Sequence, residues 1–243
     1  MAQLKPASLR LSFALFIIPT LLLIVTTQAV MPWMEKQLGI ANVLTWFLAG
    51  GILVFIPIFA ASIIAFKAEN KVQTVEAFCH RMRMHPMNRE DWKWVGIGLL
   101  SAGLGSFFLL LIFTQLSNRV PGFHPLSTEA PFLHFHGFGP GKEWMLVYWV
   151  PFFFFNIFGE ELWWRGYILP RQELHHGRYA WLVNGLFWTI FHISFGLDLM
   201  ILLSPLMLIE PWIVQHRKNT WIGIWMHALF NGPIFIALAL NWI

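Results

Sequence analysis

Two adjacent carboxylates, Glu160 and Glu161, stand with Arg165 inside the apolar run FFFFNIFGEELWWRGYILP, residues 152–170. Two more apolar runs carry imidazoles: His192 closes LFWTIFH, and His227 opens HALFN, which ends at Asn231. On a helix, Glu161 and Arg165 are four apart and share a face, so they can form an ion pair that offsets part of their burial. Glu160 is turned about 100° from Glu161 around the axis and is left without that partner. Enzymes obtain a carboxylate base by keeping it from a counter-charge in apolar surroundings. His227 and Asn231 are also four apart and project from one face, while His192 sits one turn beyond Trp188.

The elements that must position these groups are membrane spans. The chain is 57% hydrophobic and only 12% charged over 243 residues, where a soluble domain carries about 25% charged residues. Its mean hydropathy is +0.61. Apolar runs fall at about 11–31, 44–66, 94–116, 144–169, 180–197, 199–214 and 221–242, each close to the roughly 20 residues a helix needs to cross hydrocarbon. The expected fold is therefore all-α, a polytopic bundle of about seven transmembrane helices (six to eight), forming one domain over residues 1–243. The sixth run is the least regular, because Pro205 and Pro211 interrupt it; Glu210, beside Pro211, is expected to be interfacial. The first run is too long for a signal-peptide core, and no small-residue cleavage site follows it, so it reads as a retained span.

Alternate loops differ sharply in basic residues. Lys5, Arg10, Lys67, Lys71, Arg81, Arg83, Arg89, Lys93, Arg165, Arg171, Arg178, Arg217 and Lys218 fall on the side of the N-terminus, against Lys36, Arg119 and Lys142 on the other. The positive-inside rule then places the N-terminus in the cytoplasm and the C-terminus outside. Counted from the cytoplasmic ends at 1.5 Å per residue, Glu160, His192 and His227 lie roughly 14, 17 and 9 Å deep, so all three can meet in one layer.

Other features exclude function classes or stay structural. The net charge of +4 is a topology signal, and no basic face on an aqueous domain is available for nucleic acid. A single cysteine, Cys79, excludes an intramolecular disulfide and a cysteine metal cluster. The segment 67–93 is a candidate for contact with anionic lipid or a solvated orientation signal. His124, His134 and His136 lie irregularly among Pro and Gly and read as a plain outer loop. Trp33, Trp144, Trp181, Trp221 and Trp242 suit interfacial anchoring.

Three motifs in order resemble the CAAX protease and bacteriocin-processing family of intramembrane proteases, also called the Abi family, which includes the Ras-converting enzyme. Glu160-Glu161-Leu-Trp-Trp-Arg165 matches its Glu-Glu-x₃-Arg motif. Trp188-Thr-Ile-Phe-His192 matches Phe-x₃-His except for Trp in place of Phe, a departure affecting only an aromatic packing role. His227-Ala-Leu-Phe-Asn231 matches His-x₃-Asn. The resemblance covers about 145–243.

The resemblance implies hydrolysis of a peptide bond in a membrane-anchored or lipidated substrate near the cytoplasmic leaflet. Glu160 would be the general base, His192 would help hold the water, and His227 and Asn231 would donate to the oxyanion. Glu161 with Arg165 would orient the helix, and Trp163 and Trp164 would pack or line the groove. Water activation without a bound ion is favoured; a zinc held by Glu160, His192 and His227 is the alternative. The expected partners are lipids and the anchored substrate, and the expected location is a bacterial or archaeal cytoplasmic membrane. A non-enzymatic scaffold or immunity protein, and a transporter using the buried charges as an ion path, are the competing classes.

Overall fold

The computed structural model describes residues 4–69, 72–134, 138–139, 141–240 and 242; Lys71 and His136 lie outside them. The described residues are helices joined by turns and loops, with no strand among them. Four continuous stretches are long and apolar enough to cross a membrane: α1 (Leu9–Leu38), α2 (Asn42–Glu69), the stretch Arg89–Arg119, and Glu143–Arg217. A short α3 (Val75–Arg81) precedes α4 (Arg89–Arg119). The last stretch is far longer than one crossing requires and folds back on itself at two glycines. Gly177 (φ 55°, ψ −129°) and Gly196 (φ 84°, ψ 158°) adopt backbone conformations that L side chains avoid.

Those reversals divide it into α5 (Leu146–Glu161), a widened π turn (Leu162–Ile168), α6 (Leu169–His176), α7 (Ala180–Phe191) and α8 (Gly196–Arg217); α9 (Thr220–Ala239) follows. With α5 through α6 taken as one arm, the described residues form seven long helical segments, in line with the spans expected from hydropathy. Apart from short connections, α8 packs on α4 and α7, α2 on α5, and α9 on both α4 and α5.

The irregular sixth span is one helix. Each proline removes a donor and frees the carbonyl four residues before it, and apolar surroundings make a bare carbonyl costly. The structure supplies other partners. Pro205 frees the Ile201 carbonyl, which accepts from Ser204 Oγ at 2.8 Å, and Ser106 Oγ of α4 donates to the adjacent Leu202 carbonyl at 2.7 Å. Pro19 frees the Leu15 carbonyl, which accepts from Trp163 Nε1 at 3.4 Å. The Met207 carbonyl, freed by Pro211, lies against Gly185 of α7, where a Cβ would overlap it.

One end of the bundle is tied by charges. Glu69 binds Arg81 at 2.9 Å and Arg171 at 2.6 Å; Glu173 binds Arg83 at 2.7 Å and also Lys218; Asp91 binds Arg217 at 2.9 Å. The Thr220 hydroxyl donates to the Met82 carbonyl at 2.6 Å, and the Ala7 N–H donates to the Arg171 carbonyl at 2.8 Å. The chain's start, the segment around α3, the end of α6 and the α8–α9 turn thus share one end of the molecule. Part of segment 72–88 docks there as a plug, with Arg81 and Met82 buried and Cys79 half-buried, whereas residues 72–76 are exposed.

Close approach at Gly185 gives a direct expectation. Gly185→Ala forces α7 and α8 apart and destabilises the protein by about 1–3 kcal/mol, read as a lower thermal midpoint in detergent. Gly103→Ala, where an added Cβ meets nothing within 4 Å, leaves the midpoint unchanged or raised.

Candidate active site where α5, α7 and α9 meet

Glu160 and Glu161 end α5 immediately before the π turn, and such widened turns often occur at functional sites. Within it, the Leu169 N–H returns to the Trp164 carbonyl five residues back. Pro170 provides no N–H, and the Gly166 carbonyl accepts instead from Arg81 Nη1 of α3 at 3.1 Å. The end plug therefore helps hold the turn that follows the two carboxylates.

Glu160 is only 1% exposed. Its Oε1 accepts from Asn156 Nδ2 at 2.7 Å. Its Oε2 accepts from Trp188 Nε1 at 2.6 Å and more weakly from Trp164 Nε1 at 3.4 Å. Among the described residues no ion pair includes Glu160, so it lacks a cation as expected, yet three neutral N–H groups surround it. A carboxylate offers about four lone-pair directions; with two donors on Oε2 and one on Oε1, the open direction is on Oε1.

Glu161 faces another way. It meets Arg165 Nε at 3.4 Å and His227 Nδ1 at 3.1 Å, and both carboxylate and guanidinium are fully buried. Gly223 of α9 makes room for it, since a Cβ there would overlap Glu161 Oε2. Arg165 Nη2 also meets Glu210 Oε1 at 2.5 Å. None of the three Arg165 nitrogens has hydrogen-bond geometry, so the attraction is ionic and is strengthened by low-dielectric surroundings. Its guanidinium lies over the Trp188 ring, 3.7 Å from the centroid.

Glu210 is not interfacial: it is fully buried and paired. Pro211 does not end α8, which continues to Arg217, so Glu210 stays two turns inside the helix, where Arg165 compensates it. Trp188 likewise does more than pack. Its indole donates to Glu160, carries Arg165 on its face and meets the rings of His192 and His227 at centroid separations of 5.7 and 5.4 Å. Asn156 and Trp188 were legible in principle, as an amide four residues before Glu160 and as an N–H donor where the family pattern has phenylalanine.

His192 caps α7. Its own N–H bonds back to Ile190 and Thr189, and its Nδ1 donates to the Trp188 carbonyl at 2.9 Å. A carbonyl only accepts, so Nδ1 carries the proton and the neutral ring presents a lone pair at Nε2. At His227 too it is Nδ1–H that donates, here to the Glu161 carboxylate, and Nε2 can donate in turn where it also carries a proton. Asn231 lies one turn further along α9, half-buried, with no hydrogen bond to either glutamate or histidine. Trp163 stacks on Tyr167 and buried Trp164 on Phe16, besides the N–H that each donates, to the Leu15 carbonyl and to Glu160.

Among the described residues no three His, Cys, Asp or Glu side chains converge as metal ligands. An apolar groove of about 280 Å³ runs between α5 and α9, lined by Phe153, Ile157, Phe158, Trp221, Ile224 and Ala228 among others, with none of the two glutamates or two site histidines in its wall.

Glu210→Ala strips Arg165 of its shorter carboxylate contact while the Glu161 partner remains, and is expected to cost about 1–3 kcal/mol. A thermal melt in detergent reads this as a fall in midpoint, and Glu210→Gln, which keeps an acceptor, falls less.

The chain matches no curated protein and no solved structure. Residues 142–232, which hold both glutamates, Arg165, both site histidines and Asn231, match the family described as type II CAAX prenyl endopeptidase Rce1-like. Over that segment the resemblance read from the three motifs holds, and the apolar helices support an integral membrane protein.

Proposed function

We propose that the chain is an intramembrane endopeptidase that cleaves a membrane-anchored or prenylated peptide by glutamate-activated water. The observation that carries this reading is a buried carboxylate, Glu160, held by three N–H donors and no cation, beside two imidazoles whose Nδ1 atoms are already engaged.

Glu160 Oε1 takes a proton from a water that His192 Nε2 helps to orient by accepting its second hydrogen. The water oxygen forms a bond to the scissile carbonyl carbon, and the carbonyl π pair moves to its oxygen. His227, as the imidazolium paired through Nδ1–H with Glu161, turns its Nε2–H toward that developing charge, and Asn231 its amide N–H. When the tetrahedral carbon collapses, the C–N bond breaks and the proton on Glu160 passes to the departing amine, which restores the carboxylate. Arg165 and Glu210 act through Glu161 as positioning residues. The apolar groove between α5 and α9 offers a surface suited to a lipid-linked chain.

The same geometry supports the proposed membrane orientation. Basic segments on the N-terminal side gather at the charge-tied end, with Ala7 bonded to Arg171, and this end is assigned to the cytoplasm. A bacterial or archaeal cytoplasmic membrane is the assigned location.

The test uses purified protein in micelles with a quenched fluorogenic peptide ending in a farnesylated Cys-aliphatic-aliphatic-X sequence. Glu160→Gln lowers kcat by about 10²–10⁴-fold, and His227→Ala by about 10²–10³-fold, with the folded protein retained. Full activity in Glu160→Gln removes it from the mechanism and favours a scaffold whose polar network is structural. Prolonged dialysis against a zinc chelator leaves the rate unchanged; loss restored by stoichiometric zinc would overturn the metal-free reading.

A further inference from the structure

Trp188 occupies a position where the family pattern has phenylalanine, and its indole supplies what phenylalanine lacks, an N–H. We propose that Trp188 is a positioning residue that gives the two oxygens of Glu160 different tasks: its N–H fixes Oε2, and Oε1 is left to receive the proton from water. This rests on reading Glu160 as the base.

Three observations support it. At 2.6 Å, the Trp188 contact is the shortest of the three N–H contacts to Glu160, and a hydrogen bond to an ionised acceptor is among the stronger ones available. The indole is itself immobile, 1% exposed and bounded by the rings of His192 and His227. The third is the cation on its face. Arg165 stands 3.7 Å from the ring centroid and draws electron density from the ring, which makes the N–H at its edge a better donor. Arg165 thereby influences Glu160 without touching it, and Trp188 joins the Glu161–Arg165–Glu210 set to the base. Phenylalanine at 188 would lose the N–H and part of the buried ring volume, whereas a sulfur isostere of the indole would lose the N–H alone.

The experiment compares the full chain with Trp188→Phe and with a variant in which the indole of residue 188 is replaced by benzothiophene, an isostere with sulfur in place of N–H. Glu160→Gln is assayed alongside, on the farnesylated fluorogenic peptide. Both Trp188 variants are expected to lose about ten- to hundredfold in kcat with KM within about twofold, and the isostere keeps the wild-type thermal midpoint. Undiminished kcat in the isostere, with Glu160→Gln inactive, overturns the proposal; so does an isostere in which kcat, KM and thermal midpoint all deteriorate together, the pattern of a merely structural ring. An active Glu160→Gln protein instead overturns the general-base reading, and the inference with it. A readout independent of turnover is the ultraviolet resonance Raman difference between wild type and Trp188→Phe, which isolates the residue 188 indole. Its N–H marker should report a strong hydrogen bond that is released in Glu160→Ala, and a marker indifferent to Glu160 overturns the proposal.

Discussion

One fully buried guanidinium organises the interior. Arg165 cannot shed its proton and has no water around it, so the chain must bring negative charge and polarisable surface to it. Glu161 comes from its own helical arm, Glu210 from α8, and the face of Trp188 from α7. Three separate elements are thereby drawn to one point, and α9 joins them because His227 binds the far side of Glu161. The arrangement need not be the most stable one available, since a buried ion pair often does no better than apolar packing of equal volume. What it does impose is a single way for the helices to meet.

Around that point, the bundle is shaped by the need to satisfy backbone groups where water is scarce. The prolines in α1 and α8 and the one after the π turn each free a carbonyl, and Ser204, Trp163 and Arg81 reach carbonyls that helix N–H groups leave open. Two of those donors come from distant segments, so a local defect becomes a tertiary contact. His192 belongs to the same pattern. The end of α7 leaves the Trp188 carbonyl without a helical partner, the imidazole Nδ1–H supplies one, and the ring's lone pair is left at Nε2. A helix cap thus sets the tautomer of a proposed catalytic side chain.

Charge and chemistry are divided between two neighbouring carboxylates. Glu161 is committed to Arg165 and His227, whereas Glu160 receives only neutral donors. The small residues at the crossings make this division possible, because Gly223 admits the Glu161 carboxylate close to the α9 backbone. Larger residues there would separate the histidine from its carboxylate.

Much of this was determined by the sequence alone. Hydropathy sets helix number and class, since apolar runs of span length have few other stable forms, and the i, i+4 spacings place Glu161 with Arg165 and His227 with Asn231. The three motifs identify which polar groups matter. Periodicity on single helices cannot say which faces of different helices meet, and that is where the tertiary structure decided. It placed Glu210 in the interior as the second partner of Arg165 and turned Trp188 from packing residue to donor. It also aimed His227 Nδ1 at Glu161 and added Asn156 to Glu160. Each of these depends on contacts between residues far apart in sequence or on a lateral geometry at one turn, and a linear pattern does not encode the distance between helices.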